Sequence, residues 1–282
     1  SGSGKSSLIK AGLIPALWRG ALTGSERWFV AEILPGARPL DELEVALTRA
    51  AALPAAHLRE HLERDRFGLL RAVNMVLPND GSELVLVIDQ FEEVFTALED
   101  EAVRVHLLDI LHVSVTEPRS RVRLIISLRA DFYDRPLHYP HFGELVRSRM
   151  ETILPLSVQG MERAISGPAE RVGVSFEDGL VAQIIEEMHY QTGALPLLQY
   201  ALTELFEHRD GKVLTRAAYE AMGGAVRALA TRAESLFEEY PTGSQELIRQ
   251  MFLRLVTLGD VSEDTRRRAR RSELLAIAPD GD

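Results

Sequence analysis

The sequence contains no cysteine. Disulfides and thiolate metal sites are therefore excluded, and the composition fits a reducing cytoplasm. Long apolar runs are also missing. None, Leu84 to Ile88 included, is longer than five residues, far below the ~20 that cross a bilayer as a helix. Positive charge is in deficit. Lys and Arg number 32 against 42 Asp and Glu, a net charge of -10, which argues against nucleic acid as a general partner of the surface. There is no internal repeat and no long low-complexity segment. The Asn-Lys-x-Asp pattern that would read a guanine base is absent as well. The length, 282 residues, suits one large domain or two to three small ones.

What is present begins at the first residue. Ser1-Gly2-Ser3-Gly4-Lys5-Ser6-Ser7 carries the last three positions of the phosphate-loop pattern G-x-x-x-x-G-K-[ST], as Gly4-Lys5-Ser6. The pattern's first glycine would lie two residues before Ser1. The expectation is therefore a nucleoside triphosphate site on a chain that lacks its natural N-terminus. In such a loop successive backbone N–H groups, here from Gly2 through Ser7, curl around the β-phosphate, and glycine permits the close approach. Lys5 reaches the β- and γ-phosphates as a point charge. The Ser6 hydroxyl is the expected Mg²⁺ ligand. Leu8 to Leu17 then reads as a helix with Leu8, Ile9, Gly12, Leu13, Ala16 and Leu17 on one side, its dipole aimed at the anion. The plainer alternative is a flexible Gly/Ser linker that contains a lysine.

Strand-like and helical patterns alternate through the first half. Trp28 to Leu34 reads as a strand closed by Pro35-Gly36. Leu40, Leu43, Leu47 and Ala50 follow helical spacing. Leu84 to Ile88 is a strand buried on both faces, and Val103, Leu107, Leu108 and Leu111 mark a helix. Val122 to Leu128 is a third strand, and Thr152 to Leu156 a short fourth interrupted by Pro155. Alternation of this kind predicts a parallel sheet covered by helices. After Ser157 the strand signals stop. Three helical stripes follow: Leu180, Ile184, Ile185 and Met188; Leu198, Ala201, Leu202 and Leu205; Val226, Leu229, Ala230, Ala233 and Phe237. Each predicts a face packed into a core. A further helix with Leu247, Ile248, Met251, Phe252 and Leu255 starts at Ser244. The expected domains are 1–157, 158–241 and 242–282.

Asp89 ends the buried strand. A carboxylate at the C-terminal end of a parallel strand lies where open α/β sheets hold ligands, and after a phosphate loop it is the expected second Mg²⁺ anchor. Glu92 and Glu93 follow, and either could orient the attacking water; a solvated helix start is their plainer role. Arg129 follows the third strand and would project from the same sheet edge. It can contact the γ-phosphate and report its loss, or simply pair with Asp131 or Asp134.

Together these residues resemble the NTPase module of the STAND class, the signal-transduction ATPases with numerous domains. The closer likeness is to the bacterial novel STAND NTPase 1 branch, often followed by WD40 repeats. Ser1 to Leu17, Pro35 to Leu40, Val87 to Glu93, Ser127 to Tyr133, Gly193 to Leu198 and Gly223 to Val226 carry it. The resemblance implies an additional-strand phosphate-loop domain, then a helical domain and a winged helix. It implies ATP or ADP with Mg²⁺ as ligands. Lys5 and Ser6 would hold phosphate and metal, and Asp89 the metal through water. Glu92 would orient the water, with Glu93 the second choice. Arg129 would sense the γ-phosphate, and Pro196 would pack on adenine. From the residues alone, Gly193 to Pro196 is only a turn between helices, with Gly193 closing one and Pro196 in the first turn of the next. Effector and sensor domains outside the chain and ATP-dependent self-association are further implications.

The departures carry expectations of their own. The first loop glycine and the central strand before it are absent. Some five buried apolar residues are worth roughly 10 kcal/mol, comparable with a domain's whole stability. The chain alone is expected to be marginally stable and to bind ATP poorly. The winged helix is expected to be incomplete. Arg266 to Arg271 would suit DNA contact on such a fold, but a solvated face paired with Glu263 and Asp264 is the simpler expectation. His57 with His61, and His138 with His141, lack a third ligand nearby for zinc. The leading expectation is a slow regulatory ATPase switch. A non-catalytic nucleotide scaffold and a winged-helix DNA-binding regulator are the alternatives.

Overall fold

A computed structural model describes residues 4–189, 191, 193–257, 265, 266, 269 and 271–277. The chain divides into two compact units, Ser1–Pro155 and Leu156–Asp282. The first opens with α1 (Lys5–Ser7), a π-helical stretch (Leu8–Leu13) and α2 (Ile14–Trp18). Then come β1 (Phe29–Ile33), α3 (Pro39–Ala50), α4 (Leu58–Arg64), α5 (Gly68–Val76) and β2 (Leu84–Ile88). The unit continues through α6 (Glu93–Thr96), α7 (Glu101–Thr116), β3 (Val122–Ile126), α8 (Asp134–Leu137) and α9 (Pro140–Ser148).

The strands pair in parallel in the order β1-β2-β3, with Ile33, Ile88 and Ile126 in register. All five residues of β2 are buried, as an unbroken apolar run in a sheet covered on both faces requires. Alternate side chains serve different cores. Leu84, Leu86 and Ile88 pack with Leu43, Val73 and Leu107 of the flanking helices. Val85 and Val87 face the other way, onto Ile9, Ile14 and Leu17.

That second core corrects the helical face expected over Leu8–Leu17. Leu8 and Leu13 are exposed, while Ile14 is buried. The cause is the π-helix, whose hydrogen bonds run five residues back, as in Ile14 N–H to Ile9 C=O. Ile9 and Ile14 therefore share a side that a regular α-helix would not give them.

The fourth strand expected over Thr152–Leu156 does not form among the described residues. Ile153, Leu154 and Leu156 are exposed. A strand needs a neighbour for its backbone N–H and C=O groups, and none of the three paired strands provides one.

The second unit is mostly helical. It contains α10 (Val158–Arg171), β4 (Ser175–Phe176), α11 (Leu180–Met188), α12 (Ala194–Glu207), β5 (Val213–Leu214), α13 (Arg216–Ala221), α14 (Gly224–Glu238), α15 (Thr242–Leu255), β6 (Val256–Thr257), β7 (Thr265–Arg266) and α16 (Arg271–Leu275). The β4–β5 pair is parallel and the β6–β7 pair antiparallel. Two-residue strands are too short to show alternation, so the sequence gives no sign of them. Leu180, Ile184, Met188, Leu198, Ala201 and Leu205 enter the core as their spacing predicts.

The stripe on α14 does not. Ala225 and Ala228 are buried, whereas Val226 and Leu229 are exposed. On α15 no residue is buried. Periodicity defines which residues share a face, not whether anything covers it. The elements described after residue 241 do not establish a winged helix. Most of the arginine run, with Glu263 and Asp264, lies outside the described residues.

One polar network anchors this core. Tyr219 is buried, donates to Glu187 Oε2 at 2.6 Å and accepts from Ala225 N–H at 2.9 Å. It thereby caps the start of α14, where helical N–H groups lack partners of their own. Burial, reinforced by Glu187, pushes the Tyr219 phenol well above its ordinary value. Gly224 is required here, because it has φ +73° and a Cβ would meet Glu187 Oε2 at 2.8 Å. Tyr219→Phe strips both groups of their partner and is expected to cost about 1–3 kcal/mol. A lower urea midpoint and faster amide exchange in the first turn of α14 check it.

Among the described residues no helix is long and apolar enough to cross a membrane.

Candidate nucleotide site

The candidate phosphate end begins at Gly4, which has φ +80° and ψ +13° and caps α1. Glycine adopts this left-handed conformation without the Cβ penalty. Its carbonyl accepts from Leu8 N–H at 2.8 Å, which draws Lys5, Ser6 and Ser7 into a helical turn. Lys5 and Ser6 are half-buried and Ser7 is exposed. Gly2 and Ser3 lie outside the described residues.

Asp89 follows β2 directly and is 6% exposed. Its backbone N–H bonds Ile33 C=O at 3.0 Å. The Ser127 hydroxyl donates to Asp89 Oδ1, and Gln90 N–H reaches the same oxygen at 3.0 Å. The Ser6 side chain lies near enough to the carboxylate to favour its charged form too. Burial pushes the carboxyl group's pKa up. The bonds from Ser127 and Gln90, with the nearby Ser6 side chain and the charge of Lys10, outweigh it, so the net shift is downward. The Ser6 hydroxyl and the strand-end carboxylate thus lie near one another. Both are hard oxygen donors of the kind Mg²⁺ accepts, so the residues fit that ion.

Glu92 and Glu93 diverge. Glu93 Oε2 accepts from Gly36 N–H at 3.1 Å, tying the start of α6 to the turn after β1. Glu92 has a buried Oε2 with no hydrogen-bond partner among the described residues. Arg129 makes paired bonds to Asp131, Nε to Oδ1 at 2.9 Å and a terminal nitrogen to Oδ2 at 2.7 Å. Those bonds raise its pKa, with smaller contributions from the charges of Asp131 and Glu92. The guanidinium also lies 5.8 Å from the centre of the Phe132 ring. So Arg129 makes the ion pair its neighbourhood offers, within the field of Glu92.

Pro196 belongs to the second unit, as the exposed third residue of α12. Gly193, expected to close the preceding helix, instead caps α12 at φ +71°, because α11 has already ended at Met188.

Two residues were not assigned from sequence. Ser127 holds Asp89, and Gln90 adopts φ +53°, a conformation uncommon outside glycine. The Ile88–Ile126 pairing places Ser127 beside Asp89. A hydroxyl directly after an apolar strand was the available signal, but only the register shows what it faces.

Fold and site define a mixed α/β protein with a candidate nucleotide site at the end of a parallel strand. The family model for Novel STAND NTPase 1 matches residues 1–281, and the chain belongs to that family. A comparison with curated proteins found no match. Among solved structures, the delta protein of the Bacillus subtilis DNA clamp loader aligns at 8% identity and a TM-score of 0.30, covering 85% of this chain and 75% of that one. A likeness of that size supports no argument.

Proposed function

We propose that this chain is the ATP-binding, slowly hydrolysing switch module of a larger regulatory protein. The observation that carries the proposal is the buried Asp89 carboxylate at the end of β2, with the Ser6 side chain of the Gly4-Lys5-Ser6 turn near it. Membership of an NTPase family supports it. Lys5 and the backbone N–H groups of the loop bind the phosphates. Bound Mg²⁺ would neutralise charge on the β- and γ-oxygens. Glu92 orients the attacking water and accepts its proton at the unpartnered Oε2. Glu93 holds the Gly36 turn. Arg129 exchanges Asp131 for the γ-phosphate and returns to Asp131 after hydrolysis, which makes phosphate occupancy a two-state signal. Cytoplasmic localisation, effector and sensor domains, WD40 repeats among them, and ATP-dependent self-association complete the proposal.

Calorimetric titration of Mg·ATP into the whole protein tests it, with Lys5→Ala as control. Binding is expected, weakened at least ~tenfold in the control by loss of a charge-assisted contact. A folded protein with no binding heat would overturn the proposal.

A further inference from the structure

Ser127 occupies an unusual position for a small hydroxyl. It is 5% exposed, and all its polar groups engage the segment that carries Asp89. Its hydroxyl donates to Asp89 Oδ1 and accepts from Gln90 N–H at 3.0 Å. Its backbone N–H donates to Ile88 C=O at 3.0 Å, and its C=O accepts from Phe91 N–H at 2.8 Å. The two backbone bonds would form with any residue except proline, since Pro alone lacks the N–H. The two side-chain bonds need the hydroxyl. Valine or alanine would continue the apolar strand equally well, so packing gives no reason for serine.

Gln90 adds an independent observation. At φ +53° it departs from the backbone region that residues with a side chain prefer. There its N–H meets both Asp89 Oδ1 and Ser127 Oγ at 3.0 Å. An unfavourable backbone conformation persists where the surroundings over-determine it. Asp89 Oδ1 is held by two donors in a buried setting, and the same carboxylate lies near Ser6.

We propose that Ser127 is a positioning residue for Mg²⁺: it fixes Asp89 Oδ1 inward, so that the carboxylate meets the metal in one orientation together with Ser6. This rests on the nucleotide-site reading above. Ser127 also stands two residues before Arg129, so its grip on Asp89 joins the metal-binding end of β2 to the arm that bears the arginine.

The test measures nucleotide affinity twice, as Mg·ATP and as ATP in excess chelator, for the wild type, Ser127→Ala and Ser127→Thr. The readout is the ratio of the two affinities. Outer partners of metal-binding carboxylates typically alter metal affinity 10–100-fold. Ser127→Ala is therefore expected to lower the Mg²⁺-dependent gain at least ~tenfold, with metal-free affinity unchanged, and Ser127→Thr, which keeps the hydroxyl, to restore it. Competition by Mn²⁺, followed through its paramagnetic resonance signal, gives the same comparison without turnover. A merely structural role would weaken both affinities together and leave the ratio alone, and that result would overturn the inference. If the wild type itself shows no Mg²⁺-dependent gain, the nucleotide-site reading fails and the inference falls with it.

Discussion

Glu92→Gln is expected to slow ATP hydrolysis by roughly 100- to 10,000-fold, the range for loss of a positioned general base. Mg·ATP affinity should stay within about threefold, because in the proposed role the acid acts on the water and not on the bound phosphates. The expectation rests on the different fates of two adjacent carboxylates. Glu93 already serves Gly36 N–H, while Glu92 Oε2 is buried without a partner among the described residues. An unmet buried acceptor is costly in a finished structure, and a bound water would relieve that cost. Glu93→Ala gives the opposite pattern. It leaves Gly36 N–H unpaired, at a cost of about 1–3 kcal/mol in stability, with a far smaller effect on turnover. Single-turnover hydrolysis with paired urea titrations separates the two. If Glu93→Ala stops hydrolysis and Glu92→Gln does not, the roles are reversed.

Phe91→Ala is expected to remove about 3–5 kcal/mol of stability, the usual range for truncating a buried aromatic. That is a large share of the roughly 5–15 kcal/mol that holds a domain folded. Phe91 is fully buried. Its ring stacks on Phe142 with centroids 5.5 Å apart and meets Phe95 edge-on at 5.9 Å. Phe91 also lies between Asp89 and Glu92 in the chain. A ring locked in the core fixes the backbone on both sides, so the two carboxylates should lose their alignment with it. Both tryptophans, Trp18 and Trp28, lie in the first unit. Their fluorescence therefore follows this unit's unfolding in urea. Leu22→Ala is the control: Leu22 lies in the same unit and is 52% exposed, and the change should stay within about 0.5 kcal/mol. Equal midpoints for Phe91→Ala and wild type would refute the assignment.

The sequence by itself determined the elements whose chemistry is local. Gly4-Lys5-Ser6 stands out as a candidate on residue type and order alone, and the left-handed glycine that such a turn needs is found at Gly4. β2 can be read because a strand covered on both faces needs an unbroken apolar run. Asp89 follows from its place at the end of that run. Leu180, Ile184 and Met188, and likewise Leu198, Ala201 and Leu205, follow from helical spacing on helices that are in fact covered.

What the tertiary structure decided has a common cause: it depends on a partner distant in the chain. Val226 and Leu229 are as periodic as any core stripe, yet their face of α14 is open. Thr152 to Leu156 is apolar enough for a strand, but a strand exists only in a pair. The π-helix moved Ile14 into the core and Leu13 out, because one altered hydrogen-bond step rotates every later side chain. The separate tasks of Glu92 and Glu93 turn on Gly36, 57 residues away from Glu93. Ser127 reaches Asp89 across 38 residues through strand register alone. A one-dimensional pattern records what a residue can do. Which neighbour it does it with is settled when the sheet pairs and the helices close over it.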